Sequence, residues 1–177
     1  MSSSHAFVFA RDPRHLIVAD GEHVRILATG SGEVRGNLMV PALRATVGFD
    51  DEVWCVAGTP PRLTRIGFDG VPRGEAIELS AATGAPGTLV RAASGTTAIW
   101  RGDAVDVVTL VGPELRRQVV DGAGPGDAVV ALAPGRQLVS RRDQVALVEQ
   151  GRERWRTAPV ADAHYAHGEI IHDGRAA

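Results

Sequence analysis

The sequence predicts an all-β repeat fold, and three observations predict it. One short segment recurs along the 177 residues. Each recurrence is flanked by short runs rich in Val, Ile, Leu and Thr. Gly and Pro interrupt nearly everything between them. The segment is Leu16–Gly21, and it returns as Trp54–Gly58, Ala98–Gly102, Leu138–Arg142 and Ile170–Gly174. Its middle apolar residue is Ile17, Cys55, Ile99, Val139 and Ile171, at spacings of 38, 44, 40 and 32. A period near ~40 residues marks an architecture built from one supersecondary unit.

Each unit reads as four short strands. The first is Ala6–Ala10, Leu43–Phe49, Leu89–Ser94, Ala128–Ala133 and, in the fifth unit, Ala163–His167. The second is the recurring segment. The third is Val24–Ala28, Leu63–Gly67, Val105–Leu110 and Val145–Val148. The fourth is Leu38–Val40, Ala76–Leu79, Gln118–Val120 and Arg156–Val160. Turn chemistry separates them. Asp20-Gly21, Gly58–Pro61, Gly102-Asp103 and Arg142-Asp143 lie between second and third strands. Gly30–Gly32, Asp69-Gly70, Gly112-Pro113 and Gly151 lie between third and fourth. Gly tolerates the positive φ of tight hairpins, and Asp and Pro favour turns. β-Branched and aliphatic side chains suit a pleated, half-buried surface. Helical periodicity is hard to find.

Four antiparallel strands every ~40 residues is the blade of a β-propeller. A β-sandwich also shows short strands at regular spacing, but gives no reason for one local sequence to return. The blades are expected at about 6–42, 43–86, 87–127 and 128–162, with a half blade at 163–177, in a single domain spanning 1–177.

Composition bounds the partners. Apolar residues make up 44% and net charge is −2, which fits an ordinary soluble chain and points to neither nucleic acid nor membrane. No apolar run approaches the ~18 residues of a membrane span. All 19 basic residues are Arg. Without Lys there is no Walker-type phosphate loop and no Schiff-base chemistry. The single cysteine, Cys55, excludes an intrachain disulfide and fits a reducing compartment. The N-terminal Met1–His5 lacks the basic start and apolar core of a signal peptide. A cytoplasmic location is expected.

The fourth unit resembles the quinoprotein-like repeat, whose blade carries Ala, then Gly, then a Trp four residues later that packs on the neighbouring blade. Ala146-Leu147, Gly151 and Trp155 match, with one residue missing before the Gly. The other units lack that Trp, and none shows the Gly-His and Trp-Asp pairs of the WD40 type. The resemblance implies blade architecture and not a quinone cofactor. The stretch Val53–Leu63 also resembles bacterial propeller proteins encoded beside MoxR-type ATPases and von Willebrand A-domain proteins. That resemblance implies a non-enzymatic partner of an AAA+ ATPase system.

The fifth unit has two strands and begins its hairpin at Asp173-Gly174, just before Ala177. Unit one reads as complete and has no half blade to lend. The second strand of the fifth unit, Glu169, Ile170, Ile171 and His172, is therefore expected to offer an unpaired edge that recruits another strand. A longer propeller, a second copy or a protein partner would complete the ring. A closed four-bladed ring would leave Ile170 and Ile171 without a burial partner.

Candidate chemistry is thin. Cys55 shares its slot with aliphatic residues and reads as a small buried hydrophobe. His164, His167 and His172, beside Asp162 and Asp173, form the one metal-like group, but alternation along a strand sends His164 and His167 apart. No metal and no cofactor are expected. Asp50-Asp51-Glu52 reads as a solvated turn, since three adjacent carboxylates cannot converge on one Ca²⁺. The glycine-rich run Asp121–Asp127 precedes a strand and not the helix that a dinucleotide site needs. Arg136, Arg141, Arg142, Arg152, Arg154 and Arg156 make unit four basic, which reads as a solvated face. Trp54, Trp100 and Trp155 fall on strands and read as packing residues. The function predicted is a non-catalytic scaffold for protein–protein interaction, with no catalytic residue expected. The alternative is an enzyme or a ligand- or metal-binding propeller whose central channel gathers Asp50, Asp51, Asp127, His164 and His167.

Overall fold

The computed structural model describes the backbone of residues 6–9, and residues 14–84, 87–92, 95–120, 122–124, 126–133, 135–140 and 144–157. They form sixteen strands in four sheets. The first sheet holds β1 (Ala6–Phe9), β2 (His15–Asp20), β3 (His23–Ala28) and β4 (Val34–Met39). The second holds β5 (Leu43–Gly48), β6 (Glu52–Ala57), β7 (Arg62–Gly67) and β8 (Ile77–Glu78). The third holds β9 (Thr88–Arg91), β10 (Thr97–Arg101), β11 (Val105–Val111) and β12 (Glu114–Val119). The fourth holds β13 (Ala128–Ala133), β14 (Arg136–Ser140), β15 (Val145–Glu149) and β16 (Arg152–Arg156). Each sheet is an up-and-down antiparallel meander in chain order. No described residue is helical, so no helix there is long and apolar enough to cross a membrane.

The first strands of neighbouring sheets meet along the inner side, where β5 lies against both β1 and β9. The expected fifth unit, with Ala163–His167 and Glu169–His172, lies outside the described residues.

The outermost strands depart from the sequence reading. β4 and β12 begin several residues before the expected Leu38 and Gln118. β8 keeps two residues, Ile77–Glu78. The fourth strand of the fourth unit is Arg152–Arg156 and not Arg156–Val160. Its start is set by a two-residue hairpin turn, Gln150-Gly151, where both residues have positive φ (51° and 77°). Thr157 then closes the sheet against Val145, its N–H donating to Val145 O at 2.9 Å.

Three apolar cores hold the four sheets in series, one per joint. Between sheets one and two lie Ile17, Val24, Ile26 and Leu38 against Val53 and Cys55. Between two and three lie Phe49, Trp54, Val56 and Leu63 against Leu89, Trp100 and Val108. Between three and four lie Ile99, Val105 and Val107 against Val129, Val139 and Val148. Strand alternation distributes these residues. On β6, Val53 and Cys55 face sheet one while Trp54 and Val56 face sheet three.

That alternation corrects the marker alignment. Ile17 and Ile99 face the following sheet, while Cys55 and Val139 face the preceding one. Counted from the start of each second strand, the true equivalents are Ile17, Trp54, Ile99 and Leu138. A slip of one residue turns a side chain to the opposite face. The slot of Cys55 therefore belongs with Val18, Trp100 and Val139.

Candidate functional site

Two polar clasps lock the second joint. Glu52 is the last member of the Asp50-Asp51-Glu52 run, and it turns inward while its neighbours stay exposed. Its carboxylate accepts hydrogen bonds from Trp54 Nε1 at 2.7 Å, Arg65 Nε at 2.9 Å and Arg65 Nη2 at 2.9 Å. Arg65 Nη1 then donates across the joint to Pro113 O at 2.9 Å. The fork of the guanidinium matches the carboxylate, so a buried pair becomes tolerable. Near the opposite end, the fully buried Asp106 accepts from Ser80 N at 2.6 Å, Ser80 Oγ at 3.0 Å and Arg117 Nε at 2.9 Å. Trp100 Nε1 donates to Ser80 O at 2.9 Å. Gly87 and Gly102 hold this position open, because a Cβ at either would collide with Trp100. Phe49 stacks on Trp54 with centroids 4.2 Å apart, and Arg91 of sheet three lies 5.5 Å above the Phe49 ring.

The first joint is simpler. Cys55 is buried, 3.6 Å from Thr46 Oγ1. Burial pushes its thiol up from the ordinary 9.0 to about 11, and the Thr46 hydrogen bond offsets part of that rise. Such a thiol stays protonated and is no nucleophile at neutral pH. At one rim of this joint a cleft of about 810 Å³ opens. Arg14, His15 and Arg35 line it from the first sheet and Asp50, Asp51 and Phe68 from the second. His15 meets Phe68 edge-on, centroids 5.0 Å apart at 61°. Arg35 pairs with Glu33 at 3.0 Å. The cleft collects charges of both signs, with the hydroxyl residues Thr29 and Ser31 between them.

The proposed channel set does not converge among the described residues. Asp50 and Asp51 follow the end of β5, whereas Asp127 precedes the start of β13. The innermost strands run in the same sense, so these carboxylates sit at opposite ends of the sheets. His164, His167 and His172 lie outside the described residues, with Asp162 and Asp173. Among the described residues no three His, Cys, Asp or Glu side chains gather as a metal site. The glycine-rich connector leads into β13, with Asp127 Oδ2 accepting from Gly124 N at 3.0 Å. Three arginines of the fourth sheet are paired within it: Arg136 and Arg154 with Glu149, and Arg156 with Glu153.

Trp54 and Trp100 are fully buried, but Trp155 is 48% exposed, contrary to the packing role expected of it. It pairs with Leu147 on β16 and β15, on the sheet face turned away from sheet three. The residues sequence reading missed are Glu52, Arg65, Asp106 and Arg117. A charged residue at the head of a strand whose neighbours are apolar was the available signal for Glu52.

No family model matches this chain, and no curated protein matches it. Solved structures do. The β-propeller domain of Myceliophteria thermophila Cps50 (Swd1) is similar at TM-score 0.59 and 10% identity, over 90% of this chain and 56% of that one. BamB from Moraxella catarrhalis is similar at TM-score 0.56 and 16% identity, over 90% and 52%. Hsv2 from Kluyvelomyces marxianus is similar at TM-score 0.55 and 13% identity, over 84% and 49%. The fold is that of a β-propeller. Its four sheets are blades, and the chain spans about half the length of the solved propellers it matches.

Proposed function

We propose that this chain is a non-catalytic propeller scaffold whose ring is completed by a protein partner or a second copy. The observation that carries the reading is the state of the two end blades. Blade one has a second apolar face, with Leu16, Val18 and Leu27 half-buried, and none of the three described cores includes it. On the far side of blade four Leu138 is half-buried and Trp155 exposed, on one face with the buried Leu147, and none of the three cores includes them. Apolar sheet faces of this kind take up another sheet. The match to half of each longer propeller supports the same reading.

In this reading the edge Glu169, Ile170, Ile171 and His172 is part of the completing surface. The lone, buried Cys55 supports a cytoplasmic setting. Partnership with an AAA+ ATPase system is its finer form. It rests on the stretch Val53–Leu63, which spans the β6–β7 hairpin.

Mass measurement in solution tests it. The expected result is a dimer, or a complex with a partner expressed alongside, that Trp155→Asp dissociates. A stable monomer whose unfolding midpoint Trp155→Asp leaves unchanged would overturn the reading.

A further inference from the structure

Gln137 is the most anomalous residue in the repeat. It is the second residue of β14, and the equivalent slot in the other blades holds Leu16, Val53 and Ala98. The slot faces the preceding blade. Gln137 is 0% exposed, yet its side-chain Nε2 and Oε1 both lack a hydrogen-bond partner. An amide brings two donors and an acceptor oxygen to that position.

The face of blade three turned toward this joint also carries polar groups. At the head of β10, Thr97 Oγ1 lies 3.2 Å from Thr109 Oγ1, and both residues are buried. They sit on the face of blade three that carries Ile99 and Val107, which pack on blade four. Two hydroxyls sharing one bond still have a hydrogen to place. The surrounding core is made of small side chains: Ala92, Ala123 and Ala131 among valines and one isoleucine, with no aromatic ring. Gln118 Nε2 and Arg101 Nε, buried on the same face of blade three, also lack partners. Buried polar atoms as a rule find a partner, and ordered water supplies it where protein does not.

We propose that the joint between blades three and four is a hydrated site, in which ordered water bridges the Gln137 amide to the Thr97–Thr109 hydroxyl pair. The ligand is water itself. Amide oxygen, amide N–H and hydroxyl together offer the two to four polar partners that a buried water needs. The side chains around them are small. The site is independent of how the ring is completed.

Water-selective NMR on the folded protein tests it. The expected result is a cross-peak between long-lived water and the Gln137 side-chain amide protons. Gln137→Leu, which takes the residue found at Leu16, should abolish that peak and lower the unfolding midpoint by about 2–4 °C. Absence of the cross-peak in the unsubstituted protein would overturn the proposal. A rise in the midpoint of Gln137→Leu would also overturn it, since that is the mark of a dry, unpaired amide relieved by an apolar side chain. Thr109→Val is the second variant. It keeps the volume close and should shift the water peak without removing the Gln137 amide from the core. An unshifted peak would show that the water does not touch the hydroxyl pair.

Discussion

The second and third joints share one backbone plan and are filled in opposite ways. Between blades two and three, two indole rings and a phenyl ring supply the contact, and the buried charges of Glu52 and Asp106 are satisfied by an arginine fork and by Ser80. Between blades three and four, the contact is valine and alanine, and Gln137, Gln118 and Arg101 carry buried atoms without partners. The lesson is that strand order alone does not set the cohesion of a propeller. Each joint has its own strength, fixed by side-chain volume and by how completely polar atoms are paired. Blades two and three should behave as one rigid pair, with the fourth blade attached more loosely.

The largest expected effect comes from removing a ring. Trp100→Ala should cost about 3–5 kcal/mol in chemical denaturation, through the cavity it leaves and the lost bond to Ser80 O. A cost below that of Val139→Ala, its counterpart facing blade three from blade four, would abolish the contrast between the joints.

Next is the clasp. Arg65→Met leaves the Glu52 carboxylate buried with Trp54 Nε1, at 2.7 Å, as its remaining side-chain donor. The expected loss is about 3 kcal/mol, near the lower end for breaking a buried pair. Combining it with Glu52→Gln should recover a large part of that loss. If the double variant is as unstable as the single one, the clasp stabilises through packing and not through charge.

The smallest effect sharpens the picture of the first joint. The folded pKa of Cys55, about 11, lies above the ordinary 9.0. Below pH 9 the thiol is protonated in both states and contributes nothing to pH dependence. Between these values the unfolded chain binds fewer protons than the folded one. Stability should therefore fall as pH rises, by up to about 1.4 kcal/mol per pH unit. Cys55→Val should flatten that slope. An equal slope in both proteins would show that the thiol is not the titrating group.

Much of the fold was legible because its inner three strands are buried on one or both faces. The runs Leu43–Phe49, Ala128–Ala133 and Val105–Leu110 could be placed within a residue or two of their ends. The outermost strands were not, because they are half-solvated and carry Arg, Glu and Gln where a buried strand carries Val. Arg152-Glu153-Arg154-Trp155-Arg156 reads as a charged loop until its pairing with β15 is seen. Register was the other weak point. Cys55 was aligned with Ile17 because both are apolar, and only the packing shows that they face opposite ways. Asp106 was hidden by its own valine neighbours. Nothing local marks it as the acceptor for a serine 26 residues earlier.

The arginines along the outermost strands have a consequence for how the chain behaves in a crowded cell. Arg35 on β4, Arg116 on β12, and Arg152, Arg154 and Arg156 on β16 stud the outermost strands of three of the four meanders. A rim of this kind could zip onto the rim of another molecule and grow into a fibre, and long charged side chains on an outermost strand oppose that pairing. The peripheral borders of these blades are thereby poor templates for open-ended polymers.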